Sequence, residues 1–239
     1  MILKNYFRQS RSPFYSFIFI LPLFIIYEFG IYLISAGDLP TIRNGADVML
    51  RKILTHFGIH GLYGMALLFF LGITITFFLN KGKIKDLKIK SNYFLISIFE
   101  SILWSLVLYI ILSQGQLLLA KGDTKLFMQQ LVLSIGAGIF EEFVFRVLLV
   151  SGLAFIVELF IKKQNIFKMA ISITVAAAIF SIFHFFGEYA DVPIISLFFI
   201  RFAAGIVLGY IYILRGFGIA AYSHSFYNIL VFTQLQQDI

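Results

Sequence analysis

Residues 127–157 read FMQQLVLSIGAGIFEEFVFRVLLVSGLAFIV. A helix needs about 20 apolar residues to cross the hydrocarbon core of a bilayer. This run is longer than that, and it is interrupted near its middle by Glu141, Glu142 and Arg146. An ionisable side chain at such a depth costs about 3 kcal/mol on insertion scales, so each one needs a reason. The rest of the chain has the same character. Of its 239 residues 60% are hydrophobic and only 13% are charged, against roughly 45–50% and 25% in an average soluble domain. Mean hydropathy is +0.94, and there are 30 Phe. A water-soluble globule could not cover that much apolar side chain, so the chain reads as an all-α, polytopic membrane bundle. A disordered chain, a secreted disulfide scaffold and a soluble DNA-binding domain are excluded. With no cysteine, disulfides, thiol nucleophiles, iron–sulfur clusters and thiolate zinc sites are excluded too. Any metal would rest on His, Glu, Asp or Asn.

Seven spans are expected, near 14–34, 58–80, 93–113, 127–157, 168–187, 194–214 and 217–234, in one membrane domain covering 1–239. A short interfacial helix is expected at 46–57, where Asp47, Arg51 and Lys52 alternate with Val48, Leu50, Ile53 and Leu54. The first span reads as a retained signal anchor, because its apolar run is too long for a signal peptide and Ile34-Ser35-Ala36 is a poor cleavage site. The net charge of +7 is explained by topology, since basic residues concentrate in cytoplasmic loops. With the N-terminus inside, the inside set is Lys4, Arg8, Arg11, Lys81, Lys83, Lys85, Lys88, Lys90, Lys162, Lys163, Lys168 and Arg215. The outside set is Arg43, Arg51, Lys52, Lys121 and Lys125. The expectation is therefore N-in and C-out; an eighth span within 35–57 would invert every later span. No basic stripe is interleaved with exposed aromatics, so no nucleic-acid partner is expected; the expected surroundings are lipid.

Several ionisable groups fall within the spans. Glu28 and Glu100 have no polar partner nearby in sequence. Glu158 is expected to pair with Lys162, four residues on, and Arg201 with a carboxylate on another helix. In the 141–146 cluster, Glu142 and Arg146 are four residues apart and share a helix face, so they can form an ion pair. Glu141 points elsewhere and stays free for chemistry. Ser134 and Gly138 lie on the Glu141 face, a small-xxx-small strip that admits a close neighbouring helix. His184 closes Phe180-Ser181-Ile182-Phe183-His184. His224 and Asn228 are one turn apart on one face of the last span, with Ser225 and Tyr227 directed away from it. Such a set can ligate a divalent metal through Glu and His. It can also activate water and stabilise an oxyanion. A proton-coupled transporter would more often show Gly/Pro-broken helices in repeated halves; this chain has four Pro and no repeat.

Glu141-Glu142-x-x-x-Arg146, Phe180-x-x-x-His184 and His224-x-x-x-Asn228 resemble, in order, the three motifs of the CAAX protease and bacteriocin-processing (CPBP, or Abi) intramembrane peptidases. The resemblance covers about 127–234 and includes the type II CAAX prenyl endopeptidases. It implies hydrolysis of a peptide bond in a membrane-associated peptide or protein, prenylated or not, in a multi-pass protein of a prokaryotic cell membrane. It further implies that Glu141 is the general base on water, that His184 helps to hold that water, and that His224 and Asn228 stabilise the oxyanion. Glu142 and Arg146 would orient and tune the site. Two chemistries are open: a glutamate-type reaction that needs no cofactor, and a metallopeptidase with zinc on Glu141, His184 and His224. A catalytically silent scaffold or a self-immunity factor of the same fold is the alternative. Straight, upright helices would leave Glu141, His184 and His224 at different depths, so tilted or bent helices, or different span ends, are expected.

Overall fold

A computed structural model describes residues 2–35, 43–60, 62–79, 91–112, 124–160, 165–187 and 190–237. Among the described residues every regular element is a helix. In chain order these are α1 (Ile2–Ser10), α2 (Pro13–Ser35), α3 (Gly45–His56), α4 (Leu62–Leu79) and α5 (Ser91–Leu112), then α6 (124–160), α7 (Asn165–Phe183), α8 (Ile195–Arg215) and α9 (Phe217–Gln237). The loop lysines 81–90, 121, 162 and 163 and Glu188 lie outside the described residues.

Five stretches are long and apolar enough to cross a bilayer: Pro13–Ile34, Asn92–Leu112, Phe127–Phe160, Ile166–Phe183 and Ile195–Arg215. Two of the seven expected spans differ. The second is a shorter apolar helix over Gly64–Phe78. The seventh, α9, carries Ser, His, Asn and Gln along its length and falls outside that group. It is polar because it is interior: residues 215–225 are all buried. Outward-facing Phe99, Leu103 and Ile110 on α5, and Phe155, Leu159 and Phe160 on α6, are exposed, as a lipid-facing surface requires. The chain is an integral membrane protein.

The bundle is built around α2 and α9. Pro13 opens α2, where its missing N–H costs nothing. Tyr15, Phe19, Ile20, Leu23, Tyr27 and Ile31 bury one face of it. α9 packs against α5 and α6 through small residues. Ser97, Ser101 and Ser105 form a fully buried stripe along α5, and Ser101 returns its hydroxyl proton to the Ser97 carbonyl at 2.8 Å. Without hydrophobic expulsion inside lipid, such close approach supplies the dispersion contacts that hold helices together. α7 and α8 meet the same way: a Cβ on Gly205 would lie 2.8 Å from the Ala177 Cβ, and one on Gly209 2.6 Å from Ile173 Cγ2.

α8 and α9 are joined by Gly216 alone, whose φ of +90° a side chain would rarely adopt. From sequence Arg215 is expected in a cytoplasmic loop. The one-residue corner leaves no such loop, and the guanidinium turns inward instead. It pairs with Glu100 through Nε and, at 2.8 Å, through Nη2, and it donates to Ser10 Oγ at 2.9 Å. Tyr6 donates to the second Glu100 oxygen at 2.5 Å. Glu100 is thus a half-buried acid whose cationic partner lies far away in sequence, with Trp104 Nε1, one turn on, donating to it at 3.4 Å. Glu28 is partnered as well, by Arg43 at 3.4 Å and Arg51 at 2.5 Å. Glu158 pairs with Lys168 at 3.4 Å, while Lys162 lies outside the described residues. Arg201 pairs with Asp191, in the extended segment leading into its own helix, rather than with another helix.

Candidate active site

α6 carries Glu141, Glu142 and Arg146. Its hydrogen-bond ladder widens from α to π over Ala137–Glu141 and again over Phe143–Val150. Such π turns within α-helices are frequent at functional sites. The two adjacent carboxylates end in different surroundings. Glu142 is fully buried, with Oε2 3.1 Å from Arg146 Nε. Its Oε1 accepts from His224 Nδ1 at 2.9 Å. The Arg146 guanidinium also lies over the Phe180 ring, 4.9 Å from its centroid. Glu142 therefore joins the expected i,i+4 ion pair to the histidine of another motif.

Glu141 faces a cavity. Its Oε2 lies 3.8 Å from His184 Nε2 and 3.9 Å from His224 Nε2. Each histidine is oriented through its other ring nitrogen. His184 Nδ1 donates to the Phe180 carbonyl at 2.8 Å, an acceptor that can receive only a proton-bearing nitrogen. His224 Nδ1 donates to Glu142. Rings so held turn their Nε2 atoms towards Glu141. His184 lies just past the end of α7, which stops at Phe183, and the chain then runs back so that Asp191 N bonds to the His184 carbonyl at 3.0 Å. The three groups nevertheless meet at Glu141 Oε2, so these helices depart from the straight, upright spans that would hold them at different depths. Burial pushes the His184 imidazole below its ordinary range, with Glu141 pulling the other way.

The cavity holds ≈ 260 Å³ and is lined by Glu141, His184, His224 and Asn228, with Asn44 and Arg201. All three sequence motifs therefore meet in one space. Tyr227, expected to point away from the His224 face, lines it too. Ser225 does point away, onto α6, 3.5 Å from the Ile135 carbonyl. A larger space of ≈ 880 Å³ shares Asn44, Glu141, His184 and Arg201 and extends along α3 past Val48, Met49 and Ile53. Peptide-sized volume thus adjoins the polar centre.

Asn44 is absent from the sequence-derived set. It is the N-cap of α3, and its Nδ2 donates to Glu141 Oε1 at 2.8 Å. The cap was legible as an Asn just before an amphipathic run; nothing in the sequence linked it to a residue 97 positions on. α3 itself is more than an interfacial helix. Its Asp47 is fully buried, bonded to Tyr27 Oη at 2.8 Å, Arg43 at 3.0 Å and Arg51 at 2.6 Å.

Glu141, His184 and His224 are of the right chemical type for zinc. Direct ligation in tetrahedral geometry would bring oxygen and nitrogen to about 3.3 Å, closer than the 3.8 and 3.9 Å found. Among the described residues no group of three or more His, Asp or Glu is arranged to hold a metal ion.

Residues 123–230 match the family model described as type II CAAX prenyl endopeptidase Rce1-like. No curated protein and no solved structure matches.

Proposed function

We propose that the chain, whose residues 123–230 match the family model of Rce1-like type II CAAX prenyl endopeptidases, is a peptidase of that kind and hydrolyses a peptide bond of a membrane-associated substrate with water activated by Glu141. The observation that carries this is the position of Glu141 Oε2, almost equidistant from two histidine Nε2 atoms whose opposite nitrogens are both engaged. A water between them donates one proton to Oε2 and the other to His184 Nε2, at ordinary distances of about 2.8 Å. Its lone pair is then free to attack the scissile carbonyl. Glu141 takes the proton as the C–O bond forms and passes it to the leaving amine as the C–N bond breaks.

The tetrahedral oxyanion needs donors. Asn228 supplies an amide N–H from the cavity wall. A proton on His224 Nε2 makes that ring a second donor, and the Glu142 carboxylate on Nδ1 compensates its charge. Arg146 balances Glu142 in turn, so the whole assembly carries little net charge in a dry interior. The route needs no metal, and the wide oxygen–nitrogen spacing is what supports that choice. A peptide or protein substrate, prenylated or not, a cytoplasmic N-terminus and a prokaryotic cell membrane are parts of the same proposal.

The test is cleavage of a membrane-peptide library by the detergent-solubilised protein, compared with Glu141→Gln, His184→Ala and protein dialysed against a strong chelator. Cleavage is expected to vanish in Glu141→Gln, to fall by about 10²–10⁴-fold in His184→Ala, and to survive the chelator. Loss on chelation with recovery on added zinc would refute the metal-free route. Undiminished cleavage in both variants would refute the assignment of the site.

A further inference from the structure

We propose that Asn44 is a positioning residue for the Glu141 carboxylate, and that the charged cluster flanking it holds it in place; the inference rests on the role of Glu141 proposed above. Asn44 comes from the part of the chain outside the family match, yet its amide donates to Glu141 Oε1 at 2.8 Å. Its own orientation is determined. Oδ1 accepts from Ala46 N at 2.9 Å, the ordinary N-cap bond, so Nδ2 has to be the atom that faces Glu141. With Oε1 held by Asn44, the other oxygen, Oε2, is the one turned to both histidines. The two oxygens of a carboxylate are equivalent and its last torsion is broad, so this donor fixes the plane of the group, with one oxygen held by Asn44 and the other turned to the histidines.

The donor is itself anchored. Arg43 and Asp47 flank it in sequence, and together with Glu28 and Arg51 they make two cations and two carboxylates in alternating contact. Tyr27 Oη donates to Asp47 at 2.8 Å and accepts from the Asn44 backbone N–H at 3.4 Å. The start of α3 is thereby clamped to α2. A buried, paired network of this kind fixes geometry more than it adds stability.

Asn44→Asp and Asn44→Ser separate the two tasks of the side chain. Both keep an N-cap acceptor of comparable quality. Neither supplies the neutral amide donor: a carboxyl group there would share a proton with Glu141 and weaken it as a base, and serine is too short to reach. With the best-cleaved library peptide, both are expected to retain the wild-type melting temperature and a KM within about two-fold, while kcat drops by about 10²-fold, as misplacement of a catalytic group does. A cap with no other role would leave kcat at the wild-type level in both variants, and that result overturns the inference even with Glu141→Gln inactive. An active Glu141→Gln would overturn the underlying mechanism instead. If Asn44→Asp fails to fold because of its added charge, Asn44→Ser decides alone.

Discussion

Gly138 is where helix packing and chemistry are most tightly coupled. A Cβ placed there would lie 2.0 Å from Ser225 Oγ, 2.3 Å from the Ala221 carbonyl oxygen and 2.9 Å from Ser225 N. The Ser225 hydroxyl can rotate away, but the two backbone atoms of α9 cannot. Restoring ordinary contact with the Ala221 carbonyl requires α6 and α9 to separate by about 1 Å at this level, and a shift of that size at a reacting group costs about 10²-fold in rate. Glu141 is one turn from Gly138, and its partner His224 stands on the helix being pushed away. Overpacking of a rigid contact also costs about 1–3 kcal/mol, or roughly 2–4 °C of melting temperature per kcal/mol for a chain of this size. Gly138→Ala is therefore expected to lose about 10²-fold in kcat and several degrees of melting temperature, measured by peptide cleavage and thermal denaturation in detergent. Gly152→Ala, on the same helix with nothing within 4 Å of the added Cβ, should leave both unchanged. Wild-type kcat in Gly138→Ala, or equal losses in the two variants, would refute the claim that close α6–α9 contact sets the site.

Charge gives two further predictions. Glu142→Gln and Arg146→Met each leave one buried charge without its partner and should cost about 3–5 kcal/mol, with the double variant recovering most of that; additive losses in a double-mutant cycle of thermal stability would count against a coupled pair. For His184, burial favours the neutral ring in the folded protein, against the pull of Glu141, while the unfolded chain takes up its proton at about pH 6.5. The unfolded state then binds more protons below that pH, so stability should fall as pH drops through the window beneath about 6.5. His184→Asn should flatten that slope, and an unaltered slope would assign it to another group.

Much of this molecule was legible because membrane helices advertise themselves locally. Twenty apolar residues in a row have few alternatives, and spans such as 93–113 and 194–214 coincide with α5 and α8 to within a few residues. The polar set of the cavity was legible for the opposite reason, since Glu, His and Asn stand out against lipid-facing Phe and Ile. Partners were not legible, because pairing is a property of tertiary distance. Arg215 looks like a loop charge until the turn at Gly216 proves to be one residue long. Glu100 looks solitary until a helix 115 residues later brings it a guanidinium. Asn44 looks like a helix cap, and is one, but its free amide hydrogens meet Glu141 only once α3 is folded back over α6.

The Glu100–Arg215 junction also has a consequence for biogenesis. Chains are made from the N-terminus, so Tyr6 and Ser10 are made before Glu100. Their shared guanidinium arrives only when α8 has been synthesised. Until then Glu100 lacks the guanidinium that pairs with it, and α1 lacks its bond to Arg215. α1 is thus secured only after α8 has been made, which leaves the nascent chain without this junction over the intervening residues. Arg215→Met should accordingly lower the yield of inserted protein more than it lowers the turnover of the molecules that do assemble.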